Sequence, residues 1–254
     1  MKQLDTNVIY LHVNYSEQFV LSNGISFGEF VASLPTDIHQ VLLLKHQFED
    51  TEVHMHTLLD YVKKDPFYQL AQEDVASYGD FCWVDFEEIE GADVLDGQEI
   101  AELLYLGHMK KHLRLPFFQK LNNRYVYLSH DDGYWTKVYY RYFEDFYHIL
   151  GAVIGRRLSG TKLERSFLRL KKKHYPPIPK EFLYPFMDYL KEGMVISFDH
   201  VQFSRTKIEL PVWIAGDFLN MDEMLEHFQK IAKREVDGKI VFDRKTREWR
   251  SYIN

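Results

Sequence analysis

Apolar and polar positions recur with two different periods along this chain, and the points where the period changes outline its elements. Asn7 to Val13 (NVIYLHV) is β-branched and aromatic and predicts a strand. Ser22-Asn23-Gly24 predicts a turn, and Ser26 with Glu29 has the spacing of a capping box opening a short helix through Ser33. Helices are expected over 37–48 and 51–64. The second ends before Pro66, because the residue ahead of a proline avoids the α region. A further helix over 66–76 carries Pro66 in its first turn. Gly79 ends the helical period. Phe81 to Phe86 (FCWVDF) then reads as a strand, 87–96 as an acidic loop, and Asp96 with Glu99 as the cap of an amphipathic helix reaching about Lys111.

The strongest local signal follows. Arg124 to His130 and Tyr134 to Arg141 flank Asp131-Asp132-Gly133, and an Asp-Gly pair between aromatic, β-branched runs marks a tight hairpin, since glycine supplies the positive φ. A two-residue loop at Asp132-Gly133 sets Ser129 opposite Thr136, Tyr127 opposite Val138, Tyr125 opposite Tyr140 and His130 opposite Trp135. Both faces then carry rings. Either the hairpin is covered on both sides, or one face lines a groove with Arg124, Lys137 and Arg141 at its edge. Downstream, Glu144 to Gly155 is an apolar core helix, and Thr161 with Glu164 caps a basic helix ending at Lys173. Tyr175 to Pro179 (YPPIP) is a stiff linker candidate. A helix over 180–191, strands over 194–203 and 206–214, a helix capped by Asn220 with Glu223, and strands over 239–242 and 248–252 complete the chain. Strands and helices mix without βαβ alternation. The expected class is α+β: a mixed or antiparallel sheet with an aromatic β-hairpin and helices packed around it. Residues 1–174 form the main domain, joined through 175–179 to a smaller α+β region over 180–254 that is either separate or part of the same domain.

Charge sharpens this picture. Residues 1–100 hold 4 Lys+Arg against 19 Asp+Glu, residues 101–180 hold 16 against 6, and residues 181–254 hold 11 against 13. The acidic third must pack on the basic third or present its face to another molecule. Hydrophobic content of 46% excludes a disordered chain. The one cysteine, Cys82, excludes an intramolecular disulfide and fits a reducing, cytoplasmic setting. The start lacks a basic region followed by an apolar one, so no signal peptide is expected. Runs free of charged residues reach only about 11 residues, short of a bilayer span.

Candidate chemistry is sparse. Arg156, Arg157, Lys162, Arg165, Arg169, Lys172 and Lys173 make a basic tract in which Lys162, Arg165, Arg169 and Lys173 share one helix face. Such a stripe suits phosphate groups or an acidic protein surface, or is a solvated face. With Arg124, Lys137 and Arg141 it forms the candidate partner- or phosphate-binding set. Carboxylates in loops can hold a divalent ion; Asp85, Glu87 and Asp131 are the candidates, together with His108 and His112 at helical i, i+4 spacing. The zinc-protease pattern fails, because Met109 stands where a glutamate is needed. Cys82 is a nucleophile only if the fold brings it a base. No nucleotide-binding glycine motif and no nucleophile elbow occurs.

The stretches YGDFCWVDFEE, QEIAELLYLGHM and KLNNRYVYLSHDDG, with KIELPVWIAGDFLNMDEM near the end, resemble an uncharacterised family of cytosolic proteins from low-GC Gram-positive bacteria. Some members carry the label oxalate:formate antiporter. A transporter needs several long apolar spans, and none occurs in this sequence. The resemblance implies no catalytic residues. The expectation is a non-enzymatic interaction or regulatory protein that works through a charged, aromatic-lined surface near the hairpin and the basic helix, with a protein partner and no cofactor. The alternatives are a metal-dependent hydrolase of phosphate-containing substrates and a nucleic-acid binder.

Overall fold

A computed structural model describes residues 7–47, 51–73, 79–108, 114–130, 135–160, 174–218 and 220–254. Thirteen strands and seven α-helices occur among them, and every strand pair described is antiparallel, so the class is α+β and sheet-dominated. The contacts divide the chain into two units. The first gathers Val13–Ala32 and Thr36–Phe143, and the second Asp5–His12, Ser33–Pro35 and Glu144–Asn254. The boundary falls within the first strand, β1 (Val8–Asn14).

In the first unit the strand order is β2 (Phe19–Asn23), β8 (Trp135–Tyr140), β7 (Tyr125–His130), β6 (Phe81–Phe86), β3 (Gln40–Lys45), β5 (Leu59–Lys63) and β4 (Glu52–His54). The register β7 to β8 is the expected one: Ser129 pairs with Thr136, Tyr127 with Val138, Tyr125 with Tyr140 and His130 with Trp135. Side chains alternate across the pleat, and both faces are covered. On one face Trp83 and Tyr127 stack with ring centroids 5.3 Å apart and planes 7° apart. Around them close Phe27 and Phe30 of α1 (Phe27–Val31) and Phe67 of α2 (Lys64–Leu70). On the other face Cys82, Val84, Val126, Leu128 and Tyr139 pack with Ala92 of α3 (Ile89–Asp93) and with Leu103 and Leu106 of α4 (Gly97–Gly107). Tyr125, Tyr127, Tyr139 and Tyr140 are all buried, so the described part of the hairpin is a sheet covered on both faces.

Several expected elements are different. The run over 37–48 is not a helix but strand β3, whose Val41, Leu42 and Leu43 are buried between β5 and β6. A short apolar run has no period that separates a buried strand from a buried helix. The run over 51–64 is the β4–β5 hairpin rather than a helix. Ser22 and Asn23 close strand β2 instead of forming a turn. The acidic stretch 87–96 contains α3. Residues 180–191 form two single 3-10 turns before α6 (Met187–Lys191). The capping boxes at Ser26/Glu29 and Asp96/Glu99 are both present. The hairpin tip at Asp132-Gly133 and the basic helix of 161–173 lie outside the described residues.

In the second unit the order is β13 (Glu248–Ile253), β12 (Gly238–Asp243), β11 (Lys207–Ile214), β9 (Met194–Ser197) and the first part of β1, with β10 (Gln202–Phe203) also on β11. Helix α5 (Phe143–Gly160) has Ile149, Leu150, Val153 and Ile154 buried. The YPPIP stretch lies against it: Ile178 N–H donates to Gly151 O at 3.1 Å. A Cβ on Gly151 would stand 2.2 Å from Ile178 O, so only glycine permits this approach. Helix α7 (Met221–Ile231) is capped by Asn220, whose side chain accepts from the N–H groups of Asp222 and Glu223.

Candidate functional site

The densest sequence feature is Gly79 to His108, which carries nine Asp and Glu and neither Lys nor Arg. The fold sorts these nine into different roles. Asp85 is inside, accepting the N–H groups of Arg124 at 3.0 Å and Tyr125 at 2.6 Å. Burial pushes its carboxyl up to about 7, against the downward pull of those two donors. Asp96 and Glu99 cap α4, and Lys120 meets them at 3.6 and 2.7 Å. Arg114 meets Glu102 at 2.7 Å. Glu87, Glu88 and Glu90 are exposed, and among the described residues no Lys or Arg lies within ion-pair reach of them. Asp85 and Glu87 therefore do not converge: one is sealed in the sheet and the other stands beyond the strand end in solvent. Among the described residues, no group of three or more His, Cys, Asp or Glu is placed to hold a metal ion. His108 is exposed at the end of α4, and its expected companion His112 and the candidate Asp131 lie outside the described residues.

Beside this acidic segment stands the tip of the β4–β5 hairpin. Four residues, Met55 to Leu58, make the turn, and Leu58 closes it at φ 57° with its N–H on His54 O at 2.8 Å. A branched apolar residue rarely takes this left-handed region. One histidine ties the tip to the residues after α3, His56 Nε2 lying 2.6 Å from Leu95 O, while His54 Nε2 comes within 3.1 Å of Asp93 without forming a hydrogen bond. Thr57 Oγ1 holds His54 Nδ1 at 3.0 Å from the other side. Large apolar side chains stay in solvent there, with Met55 80% exposed, Leu58 75%, Val94 58% and Val53 52%. Tyr105 and Leu104 of α4 are exposed as well. The result is an acidic surface studded with apolar groups, on a backbone pinned by polar contacts.

Five of the cations singled out by the sequence lie among the described residues, and each makes contacts within the fold. Arg124 and Arg141 sit opposite one another at the open end of the β7–β8 pair, with Arg141 N–H on Arg124 O at 2.9 Å. The Arg124 guanidinium lies 5.4 Å from the Tyr142 ring centroid and donates to Thr36 Oγ1 at 2.8 Å. That of Arg141 lies 5.7 Å from Phe117 and donates to Asn122 Oδ1 at 3.0 Å. Lys137 places its ammonium 3.9 Å from the Phe19 centroid, and burial lowers its pKa. Arg156 donates to Ser33 Oγ, and Arg157 lies 5.4 Å from the Phe198 ring. Lys162, Arg165, Arg169, Lys172 and Lys173 lie outside the described residues.

One constellation was invisible in the sequence. Adjacent strands β3, β6 and β7 bring Lys45, Asp80, Cys82 and His130 to one sheet end. Cys82 Sγ is 3.5 Å from His130 Nε2, His130 Nδ1 is 3.3 Å from Asp80, and Asp80 is 2.5 Å from Lys45 Nζ. Thiol, imidazole and carboxylate stand in the order of a nucleophile relay. The electrostatics run the other way: burial, then the Asp80 charge, pushes the thiol up to about 12, whereas reactive cysteines have lowered values. Burial also lowers the pKa of His130, so the group is a neutral thiol beside an imidazole held in low dielectric. Cys82 is expected to stay unmodified by a disulfide reagent in the folded protein at about pH 8 and to react at once on unfolding. Fast labelling of the native protein would show that the thiol is open and activated.

The second unit contains a cavity of about 490 Å³, lined on one side by α7 and on the other by Val8 and the end of β9. No helix among the described residues is long and apolar enough to cross a membrane. Comparison with family models, with curated proteins and with solved structures finds no match to the chain.

Proposed function

We propose that this is a non-enzymatic interaction protein whose first unit receives a cationic, amphipathic segment of a partner protein. The carrying observation is the clamped β4–β5 tip, which holds Met55 and Leu58 in solvent beside the acidic α3. Helix α3 is five residues long, about 7–8 Å at helical rise, so Glu88 and Glu90 lie within a turn or two of Val94. Exposed apolar groups rimmed by one sign of charge are the pattern of a docking face. The charge selects a basic partner and speeds its arrival, and the apolar groups hold it. An enzymatic reading lacks support from the described groups that could carry it: Asp85 serves as a backbone acceptor, Cys82 is sealed, and the exposed carboxylates among the described residues form no cluster placed to hold a metal ion. A single, fully buried cysteine fits a cytoplasmic setting.

A fluorescent model helix with leucines on one face and lysines on the other is the probe, followed by anisotropy. Glu87→Gln/Glu88→Gln/Glu90→Gln is expected to weaken binding by about tenfold at low salt. Met55→Ser/Leu58→Ser should weaken it by a similar factor that salt does not alter. All five positions are solvent-exposed, so the fold is kept. Equal affinity for the parent and both variants would overturn the proposal.

A further inference from the structure

From the second unit alone, and independently of the acidic face, we infer that its cavity binds a small zwitterion with an apolar body, of the class of free apolar amino acids. The cavity has three distinct walls. Helix α7 contributes Leu225, Phe228 and Gln229, spaced i, i+3 and i+4 and so aligned on one helix face, and the turn after it contributes Lys233. Facing them are Val8 of β1 and Ser197 at the end of β9, paired in register. The turn after β9 supplies Asp199 and His200.

The imidazole between these walls is held in place. Ser197 is fully buried, and its Oγ lies 2.8 Å from His200 Nδ1. The His200 ring packs edge-on against Trp213, at 5.4 Å between centroids, and against Phe228, at 6.1 Å. His200 is itself exposed at the rim of the cleft, and a ring held by Ser197, Trp213 and Phe228 is a preorganised polar contact beside the apolar Val8, Leu225 and Phe228, the mix of groups that a small-molecule site uses. The volume of about 490 Å³ lies within the roughly 300–1,000 Å³ usual for such sites.

The charges narrow the ligand class. Asp199 and Lys233 are both exposed at this cavity and of opposite sign. Among the described residues neither takes part in an ion pair. One unpaired carboxylate and one unpaired ammonium on a single cleft complement an ammonium and a carboxylate on a single ligand. Val8, Leu225 and Phe228 offer its side chain an apolar floor. A simple anion would meet the Asp199 charge, and a simple amine would meet that of Lys233.

Isothermal titration calorimetry on the full chain near neutral pH tests this with four probes: L-leucine, L-phenylalanine, isovalerate (no amine) and isoamylamine (no carboxylate). One of the amino acids is expected to bind with Kd tighter than about 1 mM, and both truncated probes at least about tenfold more weakly. Asp199→Asn should abolish the preference for the amino acid over isovalerate, and Lys233→Gln the preference over isoamylamine. Both side chains are exposed, so neither change disturbs the core. Absence of heat with both amino acids, equal binding of all four probes, or preferences untouched by both substitutions would each overturn the inference. None of these outcomes bears on peptide capture by the first unit.

Discussion

Replacing Asp85 by alanine should lower the unfolding free energy by about 2–6 kcal/mol, because it strands two buried N–H donors at roughly 1–3 kcal/mol each. The carboxylate joins β6 to the start of β7, where Arg124 and Tyr125 N–H groups point at it. Asparagine can keep one acceptor and should recover much of the loss. The pair of variants also separates structural from ionic effects. Burial raises the Asp85 carboxyl to about 7 in the folded state, while the unfolded chain releases its proton near 4. Between those values the folded state holds the extra proton, so this group's contribution is complete below about pH 4 and lost as pH rises through about 7. The total swing is at most about 4 kcal/mol. Urea unfolding of the parent should therefore weaken from about pH 5 to about pH 7.5 more steeply than that of Asp85→Asn. Identical pH slopes would mean that the carboxyl ionises at its ordinary value despite its burial.

Trp83→Ala is expected to cost about 3–5 kcal/mol, the range for removing a large buried ring. Trp83 is 0% exposed and is the hub of the ring cluster, stacked on Tyr127 and edge-on to Phe67 at 5.3 Å. Each favourable ring pair adds about 0.5–1.5 kcal/mol beyond its buried area. Trp83→Phe should be far milder, below about 1.5 kcal/mol, since the indole Nε1 is buried without a hydrogen-bond partner among the described residues. Circular dichroism during urea unfolding checks both. An alanine variant as stable as the parent would mean that the cluster packs loosely.

Local chemistry made much of this fold legible. Ser26/Glu29, Asp96/Glu99 and Asn220 announce helix starts because a cap is settled by residues three positions apart. The β7–β8 register, with Ser129 on Thr136 and Tyr127 on Val138, is the one the Asp-Gly signal and the alternation of rings predict. Three other hairpins share a device that the sequence hides. Their four-residue turns end in Gln18, Leu58 and Arg247 at φ 55°, 57° and 62°, the region where glycine or asparagine is the usual signal. Without that signal, 15–18 and 55–58 give no sign of a turn: the strand over 7–13 is legible from its own residues, whereas β2 is missed and β4 with β5 reads as a helix. The third, at 244–247, was placed by the strands around it, with Asp243 Oδ1 accepting from Lys245 and Thr246 N–H.

The sequence by itself determined the α+β class, the lone cysteine and the run of nine carboxylates without a cation. These depend on composition and on neighbours a few residues apart. Only the tertiary structure decided which carboxylates are sealed and which face water, that Lys137, Arg124 and Arg141 lie over rings, and that His130 stands beside Cys82. Pairings such as Asp80 with His130, or Ser197 with Val8, join residues far apart along the chain. Strand order sets them, and no local pattern of residues encodes that order.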